Sequence, residues 1–271
     1  MINLHKARNN YNCFGLCGVS QALLMPRQFT YHLKLTFDNL EIPLKVVAEP
    51  RRSVRYYIGK TGGILRLPAL MSVAEREKEV EKYKLWLAKH LRAKDQLKAH
   101  YEGKTYSDGD SLKVGERTYL IRIQESANKN YKGVIKEGVI TLVMAANDTP
   151  ESRSKAIRHL LSRLVARDYY PWVAERVAAL NEKHFNQPYN KISLKYNLSN
   201  WGSCSSKRNI NLSTRLLFAP HDVVDYVIIH ELAHLIEMNH SHRFWALVEK
   251  AMPDYKEKIA WLKKNWASCN F

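Results

Sequence analysis

The spacing of hydrophobic residues along the first part of the chain predicts β-strands. Hydrophobic and polar residues alternate through residues 31–37, and apolar runs follow at 42–47, 54–58 and 64–67. Strict alternation is typical of a strand with one buried face, and the glycines between the last two runs favour a hairpin. The sequence shows no internal repeat and no low-complexity segment.

A helical period replaces this alternation near residues 72–98. Ser72 and Glu75 have the spacing of a capping box, in which each side chain bonds the backbone of the other residue. The apolar positions that follow recur at helical spacing and are Val80, Tyr83, Leu87 and Leu91. Further strands are predicted at 118–123 and 139–144, so residues 29–149 form a β-rich region with one helix.

The pattern turns helical again at the end of this region. Thr149 is a good N-cap and Pro150 suits the first turn of a helix. Apolar residues then recur at helical spacing to about residue 180. Pro171 lies inside this pattern and is predicted to kink or break the helix.

The rest of the chain combines short strands with further helices. Strand patterns lie at 192–196 and 210–212, and three helices are predicted to begin at Pro220, Ser241 and Tyr255. The order of elements predicts an α+β fold. We place a boundary near residue 149, between the β-rich region and the C-terminal region. Residues 1–28 show neither period and are predicted to be a tail, either disordered or an over-extended start.

The composition is that of an ordinary globular protein. Hydrophobic residues make up 45% and charged residues 25% of the 271 residues, which excludes a disordered chain, a collagen-like repeat and a disulfide-framework mini-protein. The four cysteines are irregularly spaced and favour a reducing compartment. No apolar run approaches the roughly 20 residues that span a bilayer, so we expect a cytoplasmic protein without a membrane partner.

The net charge bears on which partners the protein could bind. With 43 Lys and Arg residues against 26 Asp and Glu residues, the chain carries +17. This charge suits association with nucleic acid or an acidic partner, and it is equally compatible with a basic enzyme whose charge only aids solubility. The oligomeric state is left open.

The most informative segment is an HExxH motif at residues 230–234. Four residues of a helix turn through about 400°, so His230 and His234 lie on one face, one turn apart. This spacing lets two imidazole nitrogens bind one Zn²⁺, and Glu231 projects beside them, where it can accept a proton from water. Because the helix is predicted independently of the histidines, we favour a zinc site over a surface helix with two histidines.

Catalytic zinc needs a third protein ligand and an open position. The candidates downstream of the motif are Glu237, His240, His242, Glu249 and Glu257. Asn239 favours a left-handed helix end and Ser241 is a good N-cap, so His240 is predicted to lie in the junction and to face the metal. His242 is expected on the surface of the next helix, and Glu249 or Glu257 is the main alternative.

Two segments are predicted to border the site. Residues 201–206 are a candidate wall, with a tight turn packed by Trp201 as the alternative, and residues 210–213 could offer an edge to an extended peptide. Cys204 is expected to be a small buried residue rather than a ligand. Cys13 and Cys17 lack a matching second pair and do not predict a zinc knuckle.

Several segments together resemble a known family. They are Trp201-Gly202-Ser203-Cys204-Ser205, Ile210-Asn211-Leu212-Ser213, the HELAH helix, Asn239-His240-Ser241 and Phe244-Trp245. With them the sequence resembles the YgjP-like metallopeptidases (domain of unknown function 45), which are related to the SprT-like and WLM proteases. The resemblance covers about residues 30–266 and is weaker before residue 190, where it rests on Arg51-Arg52-Ser53, the helix around Trp86, and Gly115 with Tyr119.

This resemblance implies a zincin-like metallopeptidase domain at residues 150–271. Its Zn²⁺ would be bound by His230, His234 and His240, with Glu231 as the catalytic residue. The spacing from His234 to His240 equals that of the metzincins, but Glu237 stands where metzincins have glycine, so we do not place the chain among them. SprT-like relatives include DNA-associated proteases, although no DNA-binding module is evident here.

The favoured function is therefore a zinc-dependent metalloprotease that acts on a peptide or protein substrate, with Glu231 as general base. Three alternatives stay open: a zinc hydrolase of a phosphate or nucleotide substrate, a nucleic-acid-associated SprT-like protease, and a non-enzymatic binding module with a structural metal. The intact glutamate argues against the last, because structural zinc sites need no base and usually fill all four positions with protein ligands.

Overall fold

The computed structural model describes residues 28–37, 40–127 and 130–271. The tail predicted at residues 1–28 lies outside the described residues, except for residue 28, and so do Cys13 and Cys17. Among the described residues, none of the helices combines the length and the hydropathy that crossing a membrane requires.

The first four strands form one mixed sheet. They are β1 (Phe29–Phe37), β2 (Leu40–Glu49), β3 (Arg55–Gly59) and β4 (Gly62–Pro68), in the order β1-β2-β4-β3. The central strands β2 and β4 are parallel, and the outer pairs are antiparallel. Exposed and less exposed side chains alternate along β1, as its sequence predicts, and the predicted hairpin is confirmed as β3 and β4.

Two helices pack on this sheet. α1 (Val73–Ala93) begins at the predicted capping box, where Glu75 N donates to Ser72 Oγ and Ser72 N donates to Glu75 Oε2. The single helix predicted near 72–98 is wrong, because the chain leaves the helical conformation at Lys94 before α2 (Asp95–Glu102). The reason is packing: Leu91 and Leu97 share one core, whereas six residues of continuous helix would turn them about 240° apart.

The second sheet repeats the topology of the first. It contains β5 (Ser111–Val114), β6 (Arg117–Ser126), β7 (Lys132–Lys136) and β8 (Val139–Ala145) in the order β5-β6-β8-β7. Its central pair is again parallel and its outer pairs antiparallel. The predicted strands at 118–123 and 139–144 are confirmed as β6 and β8. The fold thus contains a structural repeat that the sequence does not reveal.

α3 (Pro150–His184) is one helix of 35 residues. It starts at the predicted cap, where Ser152 N donates to Thr149 Oγ1. The break considered at Pro171 does not occur. Pro171 is exposed, whereas Tyr169 and Val173 are buried on the inner side of the helix. On the exposed side, water can bond the carbonyl that the proline leaves without a donor.

A small third sheet precedes the last helices. It contains β9 (Lys191–Lys195), β10 (Gly202–Cys204) and β11 (Asn209–Ser213) in the order β10-β11-β9. The free edge expected at residues 210–213 is wrong, because β11 pairs with a strand on each side and β10 lies at the edge. A 3-10 helix (Thr214–Phe218) follows. The three predicted helices are confirmed as α4 (His221–Ala233), α5 (His242–Ala251) and α6 (Tyr255–Asn265).

Two hydrophobic cores divide the described residues. One joins the first sheet with α1 and α2, and the other joins the second sheet with the elements from α3 to the C-terminus. The division between the cores thus falls between α2 and β5, whereas the predicted boundary near residue 149 coincides with the start of α3. Trp266, which follows α6, packs against the first core and so connects the two units. The mixed α+β class is confirmed.

Candidate active site

α4 carries the HExxH motif through the second core. Ten of its residues are buried, among them Glu231, and His230 lies at the border of the buried face. The helix end predicted near Asn239 is wrong, because α4 ends at Ala233 and His234 is its C-cap. Tight turns end the helix early, since Leu235 N donates to Leu232 O and Ile236 N donates to Ala233 O.

This early end lets the chain bring three histidines together. His230 and His234 follow each other by one turn, and His240 returns toward them from the loop before α5. One ligand nitrogen of each lies within 4.8 Å of the other two, and His240 Nε2 is 3.0 Å from His230 Nε2. The structure therefore assembles the three histidines that the sequence singles out.

The distance between the His230 and His240 nitrogens is that of two ligands of one tetrahedral metal ion. Ligand nitrogens at about 2.0–2.1 Å from a tetrahedral Zn²⁺ are about 3.3 Å apart, close to the 3.0 Å between His230 and His240. Two imidazole lone pairs that face each other at this distance repel unless a cation or a proton lies between them. His234 Nδ1 donates to the Glu237 carbonyl at 3.0 Å, which keeps its Nε2 available as a ligand.

Burial keeps the imidazoles of His230 and His234 neutral, and a histidine that binds a metal must be neutral. Burial, followed by the neighbouring His234 and His240, lowers the pKa of His230 to about 3. Burial also lowers the pKa of His234, against the opposing effect of its bond to the Glu237 carbonyl. Neutral rings offer their lone pairs at neutral pH without first losing a proton.

Glu231 lies beside the histidines and is only 4% exposed. Burial raises the pKa of its carboxyl to about 8. Its Oε2 has no hydrogen-bond partner among the described residues, while Oε1 faces the backbone of Gly202. A buried carboxyl with an unpaired oxygen is suited to accept and hold a proton.

Phe244 supports all three histidines from one side. Its ring centroid is 4.8 Å from that of His230, 4.5 Å from that of His234 and 4.8 Å from that of His240. Ser241 caps α5 by accepting a hydrogen bond from Phe244 N, which fixes the start of the helix and the place of this ring. The imidazoles therefore rest on a buried apolar side chain.

The other candidate ligands do not join the cluster. His242, Glu249 and Glu257 are exposed and lie outside the metal-binding group found among the described residues. Cys204 is only half-buried and also lies outside that group. Burial and the nearby charge of Glu231 raise the pKa of its thiol to about 11, so it remains a neutral thiol.

His230 and Glu231 line a cleft of about 460 Å³. Trp201 and Gly202 form part of its wall, in agreement with the wall expected there, although residues 202–204 form β10 rather than a tight turn. Another part of the wall comes from the tip of the β3–β4 hairpin, which sequence reasoning missed. The lining residues from this hairpin are Tyr57, Ile58, Gly59 and Lys60. No local pattern connects a hairpin in the first sheet with a motif near the other end of the chain.

A family model settles the relationship of the chain. The model of the YgjP-like metallopeptidase domain matches residues 52–265. The chain belongs to the YgjP-like family. The YgjP-like region extends from just before β3 to the end of α6, so it contains both the hairpin tip and the histidine cluster. Membership supports a metal-dependent peptidase.

Two solved structures show partial similarity to this YgjP-like chain. The metallopeptidase zymogen abylysin of Pyrococcus abyssi is 26% identical over 34% of this chain and 93% of its own, with a TM-score of 0.32. The metallopeptidase zymogen jannalysin of Methanocaldococcus jannaschii is 20% identical over 32% of this chain and 93% of its own, with a TM-score of 0.28. No curated protein matches the chain.

Proposed function

We propose that this YgjP-like protein is a zinc-dependent metalloprotease with a zincin-like catalytic domain. His230, His234 and His240 would hold the ion, and Glu231 would be the general base. The observation that carries the proposal is their juxtaposition. Three imidazoles lie beside a buried carboxyl with an unpaired oxygen, on the wall of a cleft. Three protein ligands leave one position open, as in catalytic rather than structural zinc sites.

The chain's own residues supply the proton transfers. Zinc, when bound, would supply Lewis acidity toward a peptide carbonyl. Glu231 accepts the proton of the attacking water at Oε2, which has no other partner among the described residues, and returns it to the leaving nitrogen. Burial makes this carboxylate a stronger proton acceptor than an exposed one, because it disfavours the charged form.

β10 offers a place for the substrate backbone. Among the described residues it is one of the two edge strands of the third sheet, and it packs on Glu231 at Gly202. An extended peptide that pairs with this edge would gain main-chain hydrogen bonds beside the cleft. β10 thereby takes the role that the sequence pattern suggested for residues 210–213.

Metal content and protein cleavage together test the proposal. The wild type should hold about one zinc per chain, and His240→Ala should lose it. His242→Ala, which removes an exposed histidine two residues away, should keep it. Zinc-loaded wild type should cleave casein, whereas Glu231→Gln should keep its zinc and lose cleavage. Zinc retained by His240→Ala would refute His240 as the third ligand.

Hydrolysis of a phosphate ester or nucleotide is the second candidate. The positive charge of the cleft favours it, because Lys60 and Lys263 line the cleft and Glu231 is the one carboxylate among the described lining residues. Parallel assays with casein and with nucleoside triphosphates separate the two functions, with Glu231→Gln as the inactive control in both. Association with nucleic acid rests on net charge alone and stays a prediction.

A further inference from the structure

The tip of the β3–β4 hairpin is fixed from behind by α2. Tyr101 Oη donates to the Gly59 carbonyl, and His100 Nε2 donates to the Lys60 carbonyl at 2.9 Å. The His100 ring also packs edge-on against Trp266 at 4.6 Å, which ties the hairpin support to the segment after α6. Lys60 is therefore presented by an anchored turn.

The Lys60 side chain lies in the cleft, and none of the described residues gives it an acidic partner. Its Nζ is 4.2 Å from the centre of the Trp201 ring, and Trp201 directly precedes Gly202 at the active site. Burial, followed by the charge of Arg215, lowers the pKa of Lys60 to about 8, and no carboxylate of the described residues opposes this shift. A partly desolvated ammonium without a counter-ion is costly, so an anion bound there would relieve the cost.

A second cation without a carboxylate partner among the described residues lies near the Trp201 ring. Arg215 is fully buried, and its guanidinium is 5.2 Å from the centre of the Trp201 ring. It donates to backbone carbonyls rather than to a carboxylate, namely those of Leu198, Trp266 and Cys269. Lys263 of α6 lines the cleft as well. A cleft with an excess of positive charge concentrates anionic ligands.

We propose that Lys60 is a specificity-determining residue that binds a carboxylate of the peptide substrate. The carboxylate would belong to an acidic side chain close to the scissile bond or to the free C-terminus of the substrate. This inference rests on the proposed protease function, since it names the substrate class of the same cleft. Trp201 occupies one side of the ammonium, and the remaining N–H donors are available to a ligand.

The same charges act against basic substrates. A lysine or arginine side chain in this part of the cleft would meet Lys60 and Lys263, with no described carboxylate nearby other than the buried Glu231. Glutamine has the shape of glutamate without the charge. A higher kcat/KM for the glutamate peptide than for the glutamine peptide therefore reports the effect of the negative charge alone. A lower kcat/KM for the lysine peptide reports the repulsion between the substrate lysine and the lysines of the cleft.

Matched peptides built on a casein cleavage site test the assignment. The peptides of one set carry glutamate, glutamine or lysine at a single residue close to the scissile bond, on one side of it or the other. A further pair of peptides ends at such a residue in a free carboxylate or in an amide. For the wild type, we expect kcat/KM to be at least about tenfold higher for the peptide with the carboxylate than for its uncharged counterpart, in the pair whose variable group reaches Lys60. This ratio corresponds to about 1.4 kcal/mol. The pair that shows the effect identifies the source of the carboxylate.

Two variants assign the preference to Lys60. Lys60→Met keeps the length and apolar stem of the side chain without its charge, so the kcat/KM ratio should fall to about one. Lys132→Met removes an exposed lysine on β7 and should keep the wild-type ratio. Thermal unfolding checks that the hairpin is intact. The assignment is wrong if Lys60→Met keeps the wild-type kcat/KM ratio, or if both members of every pair have the same kcat/KM. Neither result would contradict the proposed protease function.

Binding without turnover separates this inference from the proposed function. Calorimetry on Glu231→Gln should show tighter binding of the carboxylate peptide, and the added Lys60→Met change should abolish the difference. If the wild type cleaves nothing while this Lys60-dependent difference is present, the protease is refuted and the carboxylate site stands. If binding of a nucleoside triphosphate depends on Lys60 and no peptide pair differs, the carboxylate assignment is overturned.

Discussion

Gly202 lies so close to Glu231 that a Cβ on Gly202 would be 2.5 Å from Glu231 Oε1 and 2.8 Å from its Cγ. The carboxyl group therefore packs directly on the backbone of β10. Any residue with a side chain at position 202 must displace Glu231 or shift the strand, because real Cβ atoms do not approach other atoms this closely. The contact sets the general base relative to the edge strand that we propose for the substrate.

Gly202→Ala should lower kcat by about 10–100-fold, because small displacements of a catalytic group are costly. Zinc content should not change, since the three atoms nearest to the new Cβ all belong to Glu231. Steady-state kinetics on a casein-derived peptide and metal analysis of the same sample measure the two effects. Ser206→Ala, in the exposed turn after β10, is the control and should match the wild type. Loss of zinc from Gly202→Ala would contradict this explanation.

Local sequence patterns predict many of the elements because their causes are local. The alternation in β1, the capping box at Ser72 and the Thr149-Pro150 start of α3 each depend on residues a few positions apart. The HExxH spacing is equally local, since it places two imidazole rings on one face of a helix. The place of His240 depends on the Ser241 cap that follows it.

The remaining features depend on contacts that no local pattern encodes. Lys60 meets Trp201 only because the first sheet docks on the C-terminal segment, where His100 packs against Trp266. Tight turns after Ala233 end α4 before the propensity of Asn239 can act. At Lys94, packing divides a helix whose sequence pattern is continuous. At Lys94, tertiary packing thus overrides a local preference.

Phe244→Leu should weaken zinc binding by about 10–100-fold, because it removes the ring on which all three imidazoles rest. Competition with a chelator of known affinity measures the change. Val248→Ala is the matched control, since Val248 is fully buried one turn later on α5. That variant should lower the free energy of unfolding and retain zinc affinity. Equal zinc affinity in Phe244→Leu and wild type would refute the supporting role of the ring.

Arg176 of α3 holds the motif helix through Asp225. Its Nε lies 2.6 Å from Oδ1 and its Nη2 lies 2.5 Å from Oδ2 of this buried carboxylate. Arg176→Met should lower the free energy of unfolding by about 1–3 kcal/mol, because the carboxylate loses its partner. Partial exposure of Arg176 keeps the effect below that of a fully buried pair.

Urea unfolding measures this effect, and a double variant interprets it. Adding Asp225→Asn to Arg176→Met should restore part of the stability, because the unpaired charge is then gone. Lys34→Met breaks the exposed Lys34–Glu41 pair and should change stability by less than about 0.5 kcal/mol. If Arg176→Met unfolds at the same urea concentration as the wild type, the pair does not stabilise α4.

The carboxylate preference should depend on pH through Lys60. Its pKa is lowered to about 8, so the ammonium is charged below that pH and neutral above it. The ratio of kcat/KM for the carboxylate peptide to kcat/KM for its uncharged counterpart should therefore be highest near pH 7 and decline through about pH 8. By about pH 9.5 it should approach the value of Lys60→Met.

Glu231 lines the same cleft, and burial raises its pKa to about 8 as well, so its titration must be separated from that of Lys60. Burial raises the pKa of the Cys269 thiol to about 11 and lowers that of His100, so both stay neutral throughout, while Arg215 keeps its charge. Measuring the ratio from pH 6.5 to about 9.5 in the wild type and in Lys263→Met separates the two lysines of the cleft. A wild-type ratio that is constant over this range would show that Lys60 does not bind the carboxylate as an ammonium. A midpoint near pH 8 that persists in Lys263→Met and vanishes in Lys60→Met would assign the preference to Lys60, provided that the same midpoint appears in the ratio of peptide affinities measured on Glu231→Gln, which lacks the other group of the cleft with a pKa of about 8.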